Sequence, residues 1–222
     1  NGKLDGFTIT GGNAASGCAV TSGGGMLTHS AAIVMNVVFI NNSAWGNGGG
    51  LLNYYGASPV LTNVTFAGNS ANGGGGVANF DQSKPVFTNV TFSGNSASVG
   101  GGIFNNLSNP VLTNVTFSGN TAASGGGFYN VNGTPVEPSN PQFRNAIFWG
   151  NTASQGAQIY GNVSITDSVV QGGGGANIIT SDPKLGLIGN YGGLPRPSRS
   201  WRVHRPSTLA MTLFVPLPTS VG

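Results

Sequence analysis

Charge is what this chain most lacks. Only 6% of its 222 residues are Asp, Glu, Lys or Arg, with five acids, two histidines and one cysteine, Cys18. One cysteine forms no internal disulfide, and no Cys/His spacing resembles a zinc site. Cys18, between Gly17 and Ala19, reads as a small packed residue. The five acids are Asp5, Asp81, Glu137, Asp167 and Asp182, and no two lie within ten positions of each other. A local carboxylate pair for acid and base work is therefore missing, as is a local calcium loop. His29, the one histidine outside the last 29 residues, has no nucleophile or ligand pattern around it and reads as a loop or surface residue. No apolar run approaches the roughly 18 residues that cross a bilayer as a helix. The 39 glycines do not fall at every third place, which excludes collagen, and 38% hydrophobic residues is too many for a disordered chain.

What the chain has instead is one phrase used five times: Asn36-Val37-Val38-Phe39, Asn63-Val64-Thr65-Phe66, Asn89-Val90-Thr91-Phe92, Asn114-Val115-Thr116-Phe117 and Asn145-Ala146-Ile147-Phe148. The steps from Phe to Phe are 27, 26, 25 and 31 residues. A near-constant period of this size marks stacked repeats, and one period through most of the chain argues for one elongated body over residues 1–193. Within a repeat, Val115 and Phe117 alternate with Thr116 and Ser118, the period of a strand with one apolar face. Pro110-Val111-Leu112 precedes it as a second extended piece, with proline where a missing ladder donor is tolerated. A glycine run, Gly125-Gly126-Gly127, leads into a third at Phe128-Tyr129.

Three short strands and three turns per coil predict an all-β fold, a single-stranded parallel β-helix of about seven coils of ~25 residues. Coils stack at ~4.8 Å, so seven give a rod of roughly 34 Å. Like residues then lie above like. Phe7, Phe39, Phe66, Phe92, Phe117, Phe148 and Val170 are expected as one interior column. Asn42, Asn69, Asn95, Asn120 and Asn151 are expected as another, of amides bonded along the axis.

Gly100-Gly101-Gly102-Ile103, set against Phe66-x-x-Asn69, Phe92-x-x-Asn95, Phe117-x-x-Asn120 and Phe148-x-x-Asn151, resembles the repeats of bacterial right-handed β-helix surface proteins of pectin-lyase-like fold. The polymorphic outer-membrane proteins, with paired Gly-Gly-x-Ile and Phe-x-x-Asn motifs, are the best-known of these. The resemblance covers about residues 4–193. It implies export to the bacterial cell surface or medium, often on a larger protein, and brings no catalytic residue and no cofactor. Since Asn1 opens the chain in mid-phrase, residues 1–193 are expected to be a fragment lacking its N-terminal cap, and the missing leader says nothing about location.

After Gly193 the repeats stop, and Arg196, Arg199, Arg202 and Arg205 supply four of the eight basic residues. Elsewhere Lys3, Lys84, Arg144 and Lys184 face five acids, so the body carries −1 and the net +3 comes from the tail. Basic residues beside Trp201 would ordinarily suggest nucleic acid. A lost base near Gly193 is the better explanation. Each restored codon then joins the third base of one residue to the first two of the next. With Leu194 as CTA, Pro195 as CCC and Arg196 as AGA, permitted codons restore PTQTFPLLAGSPAIDAGNDTVCPATDQRG. That string resembles the closing segment of the same β-helix family. Residues 194–222 are thus expected to be out of frame and loosely held, and no nucleic-acid partner is expected.

Two functions compete on the remaining residues. One is a non-enzymatic structural or adhesive segment, with surface glycans or other cell-surface proteins as partners and end-to-end pairing of copies at uncapped coil ends. The other is a polysaccharide lyase, glycoside hydrolase or glycan-binding module whose acids converge only in space. The outward column Thr65, Thr91 and Thr116, flanked by Ser93 and Ser118, forms a hydroxyl stripe suited to lie against a glycan, or equally a solvent face of good β-propensity. Tyr54, Tyr55, Phe80, Tyr129 and Trp149 are further candidates for stacking on sugars. The sequons at Asn63, Asn89 and Asn114 read as corner asparagines rather than glycosylation sites. No catalytic, cofactor or metal residue is expected.

Overall fold

The computed structural model describes residues 2–17, 21–134, 139–173 and 178–185, so Cys18, Glu137 and the 194–222 tail lie outside it. Among the described residues every paired strand is parallel, and none is helical. The largest sheet carries Lys3–Asp5, Ile33–Met35, Val60–Ala67, Val86–Ser93, Val111–Ser118, Gln142–Trp149 and Ser164–Thr166 in that order. The part of this sheet before the corner asparagine of each coil is its first wing and the part after it the second, which Thr8–Thr10 and Val38–Ile40 extend at one end and Val169–Val170 at the other. A second sheet stacks Asn13–Ala14, Ser43–Ala44, Ser70–Gly73 and Ser96–Val99. The third stacks Met26–Thr28, Leu51–Asn53, Val77–Asn79, Ile103–Asn106, Phe128–Val131 and Ile159–Tyr160. Each sheet pairs a strand with its counterpart one coil away, as Thr65–Thr91 and Thr91–Thr116 show. The result is a solenoid of six complete turns with a seventh begun, one fewer complete turn than the repeats suggested.

In four coils, at Val60–Ala67, Val86–Ser93, Val111–Ser118 and Gln142–Trp149, two extended pieces expected to be separate run as one eight-residue strand bent at its asparagine, whereas in the first two coils and the last they stay separate. Asn63, Asn89, Asn114 and Asn145 take φ of 56°, 57°, 57° and 53°. Asparagine tolerates this left-handed region better than other residues with a Cβ, so it turns the corner without ending the strand. Farther round the coil Gly100 has φ +64°, and a Cβ on Gly102 would lie 2.5 Å from the Gly127 carbonyl oxygen. The glycine run lets one coil's backbone settle against the next.

Phe39, Phe66, Phe92, Phe117 and Phe148 have no exposed surface and stack with centroids 4.8, 5.1, 4.6 and 4.5 Å apart. Val170 continues the column against Phe148. Phe7 does not belong to it. Ile9 pairs with Phe39 and Thr8 with Val38, so the register leaves Phe7 two residues ahead of the column and 57% exposed. Val34, Leu61, Phe87, Leu112 and Phe143 fill the interior from the first wing, and Leu51, Val77, Ile103 and Phe128 from the third sheet.

Candidate functional site

Three columns of amides run along the coil axis, each over four or more rungs. In the expected one, the Nδ2 groups of Asn42, Asn69, Asn95 and Asn120 each donate to Oδ1 of the next asparagine, at 3.0, 3.0, 2.9 and 2.8 Å. The same oxygens accept the backbone N–H of the residue below, and Asn95 Nδ2 also donates to the Phe66 carbonyl. Gln158 continues the column, its Oε1 accepting from Asn151 at 2.7 Å. A second buried column, Asn53, Asn79, Asn105 and Asn130, follows the third sheet at 2.8, 3.3 and 2.8 Å. Sequence reasoning missed it, although an asparagine three residues after the glycine runs ending at Gly50, Gly76, Gly102 and Gly127 was there to be read. Its first acceptor, Asn53 Oδ1, is the one buried side-chain polar atom without a hydrogen-bond partner among the described residues. The third column is the corner: Asn145, Asn114, Asn89 and Asn63 donate toward Asn36, and Asn36 donates to Asp5 Oδ1 at 2.9 Å.

The acids do not gather. Asp5 sits at one end of the corner column and Asp167, paired in register beyond Asn145 with φ 52°, at the other, five asparagines apart. Lys3 lies 3.1 Å from Asp5, Arg144 3.6 Å from Asp167 and Lys184 3.1 Å from Asp182. The Asn36 amide, then Lys3, hold the Asp5 carboxyl below its ordinary range. Lys184 does the same for Asp182, first through its backbone N–H. Asp81 stands at a different corner, next to Tyr54. No group of three His, Cys, Asp or Glu that could hold a metal ion occurs among the described residues.

Thr65, Thr91 and Thr116 do align on the outside of the second wing, with Ala67, Ser93 and Ser118 in the neighbouring column. All are half-buried. Val38 and Ile147 bound the stripe at three rungs.

A second surface has more chemistry. His29, Tyr54, Tyr55, Phe80, Phe104, Tyr129 and Tyr160 form a continuous track of ring contacts along the third sheet and the turn that follows it. At its N-terminal part Tyr55, Gly56, Asp81, Gln82 and Leu107 line a recess of about 470 Å³. Tyr55, Asp81, Gln82 and Leu107 all have φ between 48° and 62°, and left-handed backbone at four non-glycine positions is the kind of strain that gathers at binding sites. Tyr55 is 67% exposed. The hydrogen bond to Tyr55, then burial, then Asp81 push the Tyr54 hydroxyl up to about 12. Tyr54, Tyr55, Phe80 and Tyr129 were named from sequence, but Asp81 and Gln82 were not placed with them. The signal was faint: Tyr55-Gly56 and Asp81-Gln82 occupy the same offset after the third-sheet asparagine. Trp149 lies elsewhere, beside Ser118 on the second wing.

A family model described as right handed beta helix region matches residues 1–191. No curated protein and no solved structure gives a match. No helix among the described residues is long and apolar enough to cross a membrane, which leaves β-barrels unaddressed.

Proposed function

The chain belongs to the right-handed β-helix family, and from that premise we propose that it acts as a non-enzymatic adhesive rod, displayed outside a bacterial cell, that holds uncharged glycans against its third-sheet corner. The observation that carries this reading is the division of labour among polar groups. Apart from Asn53 Oδ1, the buried asparagine amides are consumed by the coil's own ladders, and three of the four described acids have a basic residue within 4 Å. The rod is left with aromatic and hydroxyl surfaces. Tyr55 offers an exposed ring, while the Asp81 carboxylate accepts hydrogen bonds and repels anionic sugars, a combination suited to a neutral pyranose. The hydroxyl stripe at Thr65, Thr91, Thr116, Ser93 and Ser118 adds a secondary contact face. The family resemblance of the repeats supports export.

A glycan array probed with the full chain and with Tyr55→Ala tests the proposal. Retention of uncharged glycans that is lost in Tyr55→Ala is the expected result. Equal retention by both proteins, or retention of polyanionic glycans alone, would defeat it. Turnover of any retained polysaccharide would favour the carbohydrate-active reading instead.

A further inference from the structure

In each first-wing strand the residue that fills the core, such as Leu61, Phe87 or Leu112, stands between two that point outward. Two outward columns therefore run down this face. One holds Lys3, Ile33, Val60, Val86, Val111 and Gln142, and the other Asp5, Met35, Thr62, Thr88, Thr113 and Arg144, paired rung by rung. Ile33, Val60, Val86 and Val111 are four of the eight large apolar side chains exposed among the described residues, and no other column holds more than one. The face is also flat. Successive rings of the phenylalanine column, carried by these same strands or their continuations, lie only 9°, 6°, 6° and 2° from parallel, where neighbouring strands of an ordinary sheet rotate by roughly 20–25°.

We propose that a second copy of this chain packs on this face side by side, the two rods parallel and related by a two-fold along their length. That symmetry exchanges the two columns, so each outward residue meets the other column's residue on the same rung of its partner. Lys3 then faces the partner's Asp5, and Ile33 faces the partner's Met35. Val60, Val86 and Val111 lie against the methyl groups of the partner's Thr62, Thr88 and Thr113, while Gln142 comes opposite the partner's Arg144. Opposite charges thus meet at one end, an amide meets the guanidinium at the other, and the rungs between are aliphatic. Lys84, two residues before Val86 at the margin, falls toward the partner's corner asparagines. An antiparallel pair centred on Val86 would instead set Lys84 against Lys84 and Lys3 against Ser164. Six rungs at ~4.8 Å, across a face about 20 Å wide, bury roughly 600 Å² per copy or roughly 1,200 Å² in all. This is the lower edge of specific interfaces, so the pair is weak in dilute solution and fills where rods stand close together. The pairing does not depend on what the rod binds.

Sedimentation velocity of the full chain over a wide concentration range tests it, and a monomer–dimer equilibrium is expected. Val86→Lys places an ammonium in the middle of the face and should weaken the dimer by about tenfold or more, as should Thr88→Glu. An equimolar mixture of the two variants should regain association, because in the parallel pair the new ammonium of one copy faces the new carboxylate of the other. That recovery also shows that both variants fold. Ser96→Lys, in the same coil on the second sheet, should leave the equilibrium unchanged. A monomer at every concentration overturns the proposal, whether the face stays bare or the chain's own residues 186–222 lie on it. Association that survives Val86→Lys belongs to the coil ends and overturns it too. A mixture that associates no better than either variant alone overturns the parallel pairing.

Discussion

Asn89 and Asn95 stand six residues apart in one coil, and each belongs to a column of asparagines joined amide to amide. Asn95 donates to Asn120 at 2.9 Å and Asn89 to Asn63 at 3.2 Å. Asn95 has no exposed surface, whereas Asn89 is exposed. The bonds look alike and hold different things in place. Inside the coil, no water competes, and the donors and acceptors around Asn95 have no other partner, so the column is obligatory once the chain is wound. At the corner water can replace every bond, and what Asn89 supplies is its left-handed backbone, φ 57°. Position, not chemistry, decides which ladder carries stability.

The largest effect that would break this comparison is on Asn95. Asn95→Ala removes the acceptor of both Asn69 donors and the donor to the Phe66 carbonyl. Chemical denaturation should register a loss of about 3–5 kcal/mol. A loss under ~1 kcal/mol would mean the buried column is ornamental. Asn89→Ala should cost about 1–2 kcal/mol, the strain of a Cβ in the left-handed region. Asn89→Gly sharpens the test, since it deletes the same side-chain bond without that strain and should stay within about 0.5 kcal/mol of the parent. A large loss in the glycine variant would show that the exposed amides matter after all.

Smaller than the Asn89→Ala effect is the repair of the orphan in the second buried column. Thr28 pairs in register with Asn53, whose Oδ1 has no partner. Thr28→Asn brings an amide donor to that oxygen and should raise stability by about 1 kcal/mol in the same denaturation assay. The smallest effect is at the exposed column's end. Asp5 has its folded pKa depressed, by Asn36 first and Lys3 second. Its contribution is therefore present above the ordinary carboxylate range and is lost as pH falls through the lower folded value. Carbon-detected NMR titration of Asp5 should give a midpoint below 3.8 that rises in Asn36→Ala. An unmoved midpoint would remove the amide from the explanation.

Much of this fold was legible because the repeat compels it. Once the Phe-x-x-Asn spacing fixes a coil of constant length, stacking places Phe66 over Phe39 and Asn69 over Asn42 without further information. Phe7 shows where that logic stops. A phrase that resembles the others can still enter the register two residues early, and only the pairing of Ile9 with Phe39 reveals it. The hydroxyl stripe was readable for the same reason as the columns. The aromatic corner was only half readable, because the turn after the third sheet varies in length and composition from coil to coil. Nothing in the alternation of Val and Thr says that Asp81 comes beside Tyr55. The turn conformation decides it, through four left-handed residues that sequence patterns do not flag.

That turn has one more consequence, visible in the coil whose step is 31 residues. Val131 is the counterpart of Asn106 and Gln142 of Val111, so all the additional chain lies between Val131 and Gln142. On either side the amide columns close normally, Asn105 to Asn130 at 2.8 Å and Asn145 to Asn114 at 3.2 Å. Ser139 ties the far end of the excursion back to Asn130 Oδ1 at 2.8 Å. The winding thus tolerates a graft at one edge of its cross-section while its pitch stays unchanged. Descendants of such a chain are free to diversify there, one outgrowth at a time, without renegotiating the architecture beneath.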